Sequence, residues 1–151
     1  TWQEILNGKL KIGHKPGGRS LSYNYLHKQG TEIVVTLLNE NEGAKGVGKA
    51  VERLGMQWIW LPMQGTTEKI RNQKKILETA KTVKIELEKG RQIYIHCSAG
   101  LHRTGIFAYL LLLVCGYNEQ QSCEILSQLR PLTFEELLKK GRKEFVEQIF
   151  K

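Results

Sequence analysis

The sequence predicts an α/β domain with a largely parallel central sheet of about four to five strands, flanked by helices. Short runs rich in β-branched residues alternate along the chain with longer segments of helical periodicity. The strand-like runs are apolar at successive positions, which is typical of strands covered on both faces. No repeat, low-complexity tract or Pro/Gly-rich linker divides the 151 residues. We therefore expect a single domain over residues 1–151.

Four strands are expected along the chain. The clearest is the run TEIVVTLL, and Pro62 marks the exit of the strand that follows it. The predicted strands cover residues 9–13, 31–38, 57–63 and 91–97. In sheets of this class, ligands bind beyond the carboxyl ends of the strands.

Helices fill the intervals between these strands and the whole of the C-terminal third. Ser20 and Gly30 are the predicted start and stop signals of the first helix, and Thr66 and Thr67 those that begin the third. The predicted helices cover residues 20–29, 46–54, 66–88, 104–115, 118–129 and 133–150.

The charge and the cysteine content limit the function classes. A formal charge of +8 and a pI near 9.5 favour an anionic partner, such as phosphorylated protein, phosphoinositide headgroups or RNA. Three cysteines without a secretory segment indicate reduced thiols, so we expect an intracellular and cytoplasmic protein. The longest apolar run, residues 106–115, is about half the length of a membrane span. We expect a monomer without a transmembrane segment.

The junction HCSAGLHRTG, residues 96–105, carries the chemistry. Cys97 follows a buried strand and precedes a helix N-terminus, where free N–H groups and the helix dipole stabilise a thiolate. Arg103 supplies a cation that grips two phosphate oxygens, and Gly100 permits a tight turn. These parts predict in-line attack of the Cys97 thiolate on a phosphoryl group. No cluster has metal-ligand spacing, and this chemistry requires neither a metal nor a cofactor.

This junction resembles the H-C-x5-R-[ST]-G signature of the cysteine-dependent protein tyrosine and dual-specificity phosphatases. Upstream, the segment from GKLKIG to TEIVVTLLNENE is similar to the start of small atypical dual-specificity phosphatases. The resemblance implies the cysteine phosphatase fold, with Cys97 as nucleophile and Arg103 as phosphate clamp. It implies that the Thr104 hydroxyl eases departure of the thiolate and that His96 orients the loop. The implied phosphate-binding residues are Ser98, Ala99, Gly100, Leu101, His102 and Arg103.

One part of the family's mechanism is missing from the sequence. The family places an aspartic acid after the strand that here reads WIWLPM, and the expected position falls on Gln64 or Gly65. The chain contains no aspartate at all. A positioned general acid contributes roughly 10²- to 10⁴-fold to the rate.

Three explanations remain open at this point. In the first, His102 or Glu68 donates the proton, and the enzyme hydrolyses phosphotyrosine or mixed phosphoprotein, or a phosphoinositide. In the second, the substrate is a phosphoanhydride, as in cysteine-type RNA 5′-triphosphatases, and needs no acid. In the third, the chain is a phosphate-binding module with low turnover. We favour the first.

Residues outside the junction are candidates for the rim of the site. Lys15 and Arg19, in the loop HKPGGRS, are placed to select an anionic substrate, and His14 is a further candidate. Arg130 ends a helix, and its expected role is interaction with that helix C-terminus.

Overall fold

The computed structural model describes residues 1–64 and 71–151, which form a five-stranded sheet with helices on both faces. The strands are β1 (Gln3–Ile5), β2 (Gly8–Gly13), β3 (Ile33–Thr36), β4 (Gln57–Trp60) and β5 (Gln92–His96). The described helices are α1 (Tyr23–Lys28), α2 (Ala44–Arg53), α3 (Gln73–Glu88), α4 (Arg103–Val114), α5 (Glu119–Leu129), α6 (Pro131–Leu137) and α7 (Arg142–Phe150). A short 3₁₀ turn, Glu40–Glu42, precedes α2.

The predicted fold class is confirmed. The strand order is β1-β2-β5-β3-β4, and every neighbouring pair is parallel except β1 with β2. The central strand β5 lies between β2 and β3, so His96 at its end is level with Gly13 and Thr36. The loops that follow these three strands therefore meet at one edge of the sheet, where ligands bind in this class of fold.

The two faces of the sheet bury separate cores. Helices α3 to α7 cover one face, and α4 is buried around its whole circumference from Thr104 to Leu113. Helices α1 and α2 cover the other face, where Gly48 of α2 lies against the ring of Trp58 and has no room for a Cβ. Both the central strand and the central helix are thus fixed by core packing. Among the described helices, none combines the length and the apolar character that a membrane span requires.

Several boundaries differ from those the sequence predicts. The first helix begins at Tyr23 with Ser22 as its N-cap, because the Ser22 hydroxyl accepts from the N–H of Tyr25 at 3.0 Å. The predicted helix at residues 133–150 is two helices, since Lys140 and Gly141 both have left-handed backbone angles. Thr66 and Thr67 lie outside the described residues, and α3 begins at Gln73. The strand β1 was not predicted individually.

Candidate active site

The loop of residues 97–102 connects β5 to α4, both of which are deeply buried. Cys97 is only 3% exposed and lies at the carboxyl end of the sheet, as the sequence predicts. His102 is the N-cap position of α4, and Arg103 is the first helical residue. Because both ends of the loop are anchored in the core, its conformation is constrained by the fold.

A chain of hydrogen bonds beneath Cys97 fixes the state of His96. Trp58 donates its indole N–H to the Thr36 hydroxyl at 2.8 Å, so the hydroxyl proton is left for Nε2 of His96, also at 2.8 Å. The Nδ1–H of His96 therefore donates to the Cys97 carbonyl at 2.9 Å. Burial is the main cause that lowers the pKa of His96 to about 4. At neutral pH, His96 is an uncharged donor that orients the first peptide of the loop.

The next three carbonyls of the loop are also held by donors outside it. The backbone N–H of Lys15 donates to the Ser98 carbonyl at 2.9 Å. Nη1 of Arg130 donates to the carbonyls of both Ala99 and Gly100, at 2.8 and 2.9 Å. Arg130 therefore braces the loop, and the expectation that it serves its own helix end was wrong: its side chain reaches across to residues distant in sequence.

Four consecutive carbonyls pointing outward determine where the N–H groups point. In a trans peptide the C=O and the following N–H point in opposite directions. The N–H groups of residues 98–101 are therefore directed toward the inside of the loop. Among the described residues, these four N–H groups have no protein acceptor. A concave set of converging N–H groups at a helix N-terminus is an anion-binding arrangement.

Gly100 is required by this arrangement. Its φ of +75° lies in the left-handed region, and a Cβ there would overlap the Gly13 carbonyl and Nη1 of Arg130. The Thr133 hydroxyl, on α6, donates to the Gly100 carbonyl at 2.6 Å as a second brace. The loop is therefore packed between the end of β2 and the start of α6.

Arg103 is held in place by Glu42. Nη1 and Nη2 of Arg103 donate to the two carboxylate oxygens of Glu42 at 2.7 and 2.8 Å. This bidentate hydrogen bond is the main cause that lowers the pKa of Glu42 to about 2. The N–H of Asn39 donates to the same carboxylate at 2.9 Å, which closes the 3₁₀ turn. Glu42 occupies the end of the guanidinium, so the edge that carries Nε stays available for a second bidentate partner.

Thr104 has a buried hydroxyl without a partner. Its side chain is fully buried at the first turn of α4, and its Oγ1 makes no hydrogen bond within residues 1–64 and 71–151. Buried hydroxyls normally have a partner, so this orphaned group is consistent with a role that requires a ligand or intermediate.

The imidazole of His102 is bound to a neighbouring carboxylate and is not free to act as an acid. Its side chain is about half exposed, and its Nε2 lies 2.8 Å from a carboxylate oxygen of Glu136 on α6. The second oxygen of Glu136 pairs with Lys139 at 2.6 Å. Hydrogen bonds from Lys139 and then from His102 lower the pKa of Glu136 to about 2.

Of the three other candidate positions for the general acid, the one that the structure describes does not carry a carboxylic acid. Gln64 is exposed and borders an open groove of about 480 Å³ that begins beside the 3₁₀ turn. Gly65 and Glu68 lie outside the described residues.

The rim residues of the loop HKPGGRS are only partly brought to the site. Lys15 is exposed, and its Nζ donates to the Glu42 carbonyl at 3.2 Å. His14 contacts its own loop, through the Lys15 carbonyl at 2.9 Å and the Ser20 hydroxyl at 3.3 Å. Arg19 is exposed to solvent.

Sequence reasoning missed three residues of this site: Glu42, Arg130 and Thr133. The pattern Asn39-x-x-Glu42 is a visible capping-box signal and predicts a turn there. Arg130 followed by Pro131 signals the start of a new helix. Neither pattern shows that the side chain reaches the loop, because these contacts span 30 to 61 positions of sequence.

Solved structures that share this fold include several proteins described as phosphatases. Kinase associated phosphatase, with its catalytic-site cysteine substituted by serine, superposes with a TM-score of 0.72 at 18% identity, covering 96% of this chain and 94% of that one. A putative phosphatase from Shewanella putrefaciens CN-32 gives 0.69 at 19% identity, with 98% and 87% covered. The core catalytic domain of the PP-IP phosphatase SIW14 from S. cerevisiae gives 0.66 at 15% identity, with 98% and 84% covered. No curated protein matches the chain in sequence.

A family model gives the assignment that these low identities do not. Residues 14–116 match the family described as "Polymorphic toxin system, DSP-PTPase phosphatase". The match runs from His14, at the end of β2, to the end of α4, and includes the whole loop of residues 97–102. Because it spans more than half of the chain, the protein belongs to this family and is a cysteine-dependent phosphatase of the dual-specificity and tyrosine phosphatase type.

Proposed function

We propose that the chain hydrolyses phosphate monoesters through a thiophosphoryl intermediate on Cys97. The observation that carries the proposal is the set of four outward carbonyls at residues 97–100, which leaves the following N–H groups directed toward the inside of the loop. Such groups stabilise the charge that develops on the equatorial phosphoryl oxygens. Arg103 supplies the remaining contact through the guanidinium edge that Glu42 leaves available.

The reaction has two steps. The Cys97 thiolate forms a bond to phosphorus while the bond from phosphorus to the leaving oxygen breaks, and the leaving group departs as an anion or takes up a proton. Water then attacks phosphorus and the S–P bond breaks, which releases inorganic phosphate and restores the thiolate. The orphaned Thr104 hydroxyl is available to donate a hydrogen bond to the departing sulfur in this second step.

The source of the leaving-group proton determines the substrate. His102 as the acid remains a hypothesis, and its Nε2 would have to leave Glu136 before it could donate toward the substrate. Phenolic leaving groups need less assistance than alkyl ones. We therefore favour phosphotyrosine in a protein over phosphoserine as the ester substrate, and a phosphoinositide headgroup is less favoured for the same reason.

A second candidate substrate class is a phosphoanhydride. The observation that favours it is the absence of aspartate from the sequence, because a phosphate leaving group is already a stable anion and needs no acid. One structural neighbour is described as a PP-IP phosphatase, which fits this chemistry. A 5′-triphosphorylated RNA belongs to the same class and would suit the net charge of +8.

The experiment that tests the proposed function compares Cys97→Ser with the wild-type chain on p-nitrophenyl phosphate. This activated aryl ester needs little acid assistance, so turnover should be measurable even if the acid is missing. Cys97→Ser should abolish turnover, while Cys123→Ser, a partly exposed cysteine on α5, serves as the matched control. Activity near that of the wild type in Cys97→Ser would reject Cys97 as the nucleophile. No turnover by the wild type itself would reject the proposal in favour of a binding module.

The family description also suggests the setting of this activity. We take the chain to be the phosphatase unit of a polymorphic toxin system, so that its hydrolysis of phosphorylated molecules harms a target cell. Expression of the wild-type chain in a bacterial host should then slow growth, and expression of Cys97→Ser to the same level should not. Equal growth of the two strains would contradict a toxic role for the phosphatase activity.

A further inference from the structure

Lys15 links the loop of residues 97–102 to the turn that carries Glu42. Its backbone N–H is bonded to the Ser98 carbonyl at 2.9 Å. Its side-chain Nζ donates to the Glu42 carbonyl at 3.2 Å. The carboxylate of the same Glu42 holds Arg103. The Lys15 ammonium is therefore bonded to the backbone of the residue whose side chain positions the phosphate clamp.

The neighbouring backbone makes room for this ammonium. Gly43 has a φ of +86°, and a Cβ built there would lie 3.0 Å from Nζ of Lys15. A side chain at position 43 would thus crowd the ammonium. The glycine leaves that position open on a turn whose backbone also requires a left-handed residue.

The ammonium is a cation with unused donors. In the part of the chain that the structure describes, Nζ makes this one hydrogen bond to a carbonyl and no ion pair, although an ammonium carries three N–H groups. Its charge also reaches the base of the site: burial is the main cause that lowers the pKa of His96, and the positive charges of Lys15 and then His14 lower it further. A positive charge with two unused donors beside Glu42 fits a second anionic group on the substrate.

We propose that Lys15 forms a second phosphoryl-binding position next to Arg103, which selects substrates in which the scissile phosphoryl group is joined to another one by an anhydride bond. This inference rests on the proposed function, since it requires that the loop of residues 97–103 hold the scissile group. Two independent features agree on this substrate class. The ammonium supplies the contact to the second phosphoryl group, and the sequence lacks the aspartate that would protonate an ester leaving group.

A second phosphoryl-binding position at Lys15 also explains how the leaving group departs. Attack of Cys97 forms the S–P bond and breaks the bond to the bridging oxygen, which leaves on the second phosphoryl group with an additional negative charge. Lys15 neutralises part of that charge without transferring a proton. Water then hydrolyses the thiophosphoryl group, and the net reaction is hydrolysis of one anhydride bond.

The test compares Lys15→Ala with a matched control, Lys45→Ala. Lys15→Ala keeps the backbone N–H that braces Ser98 and removes only the side chain beyond Cβ, including the ammonium. Lys45 lies two residues beyond Gly43, and its Nζ forms an exposed ion pair with Glu40 at 2.8 Å. Both variants lose one positive charge from the same region of the surface, which separates a specific contact from a general effect of net charge.

Binding is measured by titration calorimetry of the full chain with methylenebisphosphonate and with methylphosphonate. Neither ligand can be hydrolysed, because each has a P–C bond in place of the scissile P–O bond. The wild type should bind the bisphosphonate at least about tenfold more tightly than the monophosphonate, because one charge-assisted contact is worth about that factor or more. Lys15→Ala should lose most of this preference, and Lys45→Ala should keep it. Equal affinities in the wild type, or equal losses in the two variants, would overturn the proposal.

Turnover gives a second readout that separates this inference from the proposed function. With a chelator present, the ratio of kcat/KM for inorganic pyrophosphate to that for p-nitrophenyl phosphate should fall at least about tenfold in Lys15→Ala. If the wild type hydrolyses p-nitrophenyl phosphate but not pyrophosphate, the proposed function stands and the Lys15 inference fails. If Lys15→Ala lowers kcat/KM for a phosphotyrosine peptide with a neighbouring glutamate as much as it does for pyrophosphate, the position accepts carboxylates. The inference then fails as well.

Discussion

Glu42→Gln is the substitution that tests most sharply how Arg103 is positioned. The change keeps the shape of the side chain but removes its negative charge, so the bidentate ion pair at 2.7 and 2.8 Å becomes at best one hydrogen bond from the guanidinium to an uncharged amide oxygen. The pKa of Glu42 falls from its ordinary 4.5 to about 2, mainly because of Arg103. At ~1.4 kcal/mol for each tenfold change in proton affinity, this corresponds to about 3 kcal/mol.

Screening by solvent reduces that figure. The Glu42 side chain is 31% exposed, and that of Arg103 is 18% exposed. We therefore expect Glu42→Gln to lower the free energy of unfolding by about 1–2 kcal/mol at neutral pH. The folded-state pKa is depressed, so the stabilisation is present above pH 4.5 and is lost as the pH falls toward 2. Urea unfolding of the two proteins at pH 7 and at pH 3 should show this difference shrinking.

The catalytic effect should be a loss of about tenfold in kcat/KM for p-nitrophenyl phosphate, because an unrestrained guanidinium must be ordered in every encounter. Glu40→Gln is the matched control, since Glu40 lies two residues earlier and forms only an exposed pair with Lys45. The reasoning is refuted if Glu42→Gln behaves like Glu40→Gln. It is also refuted if Glu42→Gln is more active than the wild type, because Glu42 would then compete with phosphate for Arg103.

Three further substitutions test other parts of the site. Arg130→Ala should weaken inhibition by inorganic phosphate by about tenfold or more, since the Ala99 carbonyl loses its donor and the Gly100 carbonyl keeps only the Thr133 hydroxyl. Arg130→Lys should restore part of the inhibition. Arg91→Ala, which breaks only an exposed contact at 3.9 Å, is the control, and equal inhibition constants for the two alanine variants would contradict the brace. Thr104→Val should slow hydrolysis of the intermediate, so rapid mixing with p-nitrophenyl phosphate should show a burst of p-nitrophenol, and an unchanged kcat without a burst would exclude that role. His102→Ala should slow phenyl phosphate and p-nitrophenyl phosphate equally because Glu136 holds Nε2, whereas a larger loss on phenyl phosphate would identify His102 as the acid.

The fold class was predictable because the decisive signals are local. Buried strands such as TEIVVTLL and the apolar helix after Thr104 can each be predicted from the apolar pattern of about ten consecutive residues. Boundaries were less accurate where a single backbone angle decides them. The glycine of KKGRK is a helix-stop signal, but nothing there shows that Lys140 also adopts a left-handed angle, so that one predicted helix is divided into α6 and α7.

The site was predictable only as far as the loop is contiguous in sequence. The spacing of residues 96–104 alone predicts a phosphate-binding site, and the structure places them together at the carboxyl end of β5. Their supports come from elsewhere in the chain. Glu42 follows β3, and Arg130 precedes α6, so each meets the loop only after the sheet and the helices have assembled. Contacts between residues so far apart in sequence do not produce a pattern that can be recognised in a single sequence.

The measurement that tests the central claim most directly is detection of a phosphoryl group on Cys97 during turnover. The wild-type chain, mixed with p-nitrophenyl phosphate and quenched within one turnover, should yield a peptide containing residues 96–103 whose mass is increased by one phosphoryl group, with fragmentation placing that group on Cys97. Thr104→Val should increase the trapped fraction. Steady turnover with no phosphoryl group on this peptide at any quench time, or with the group on another residue, would contradict the account.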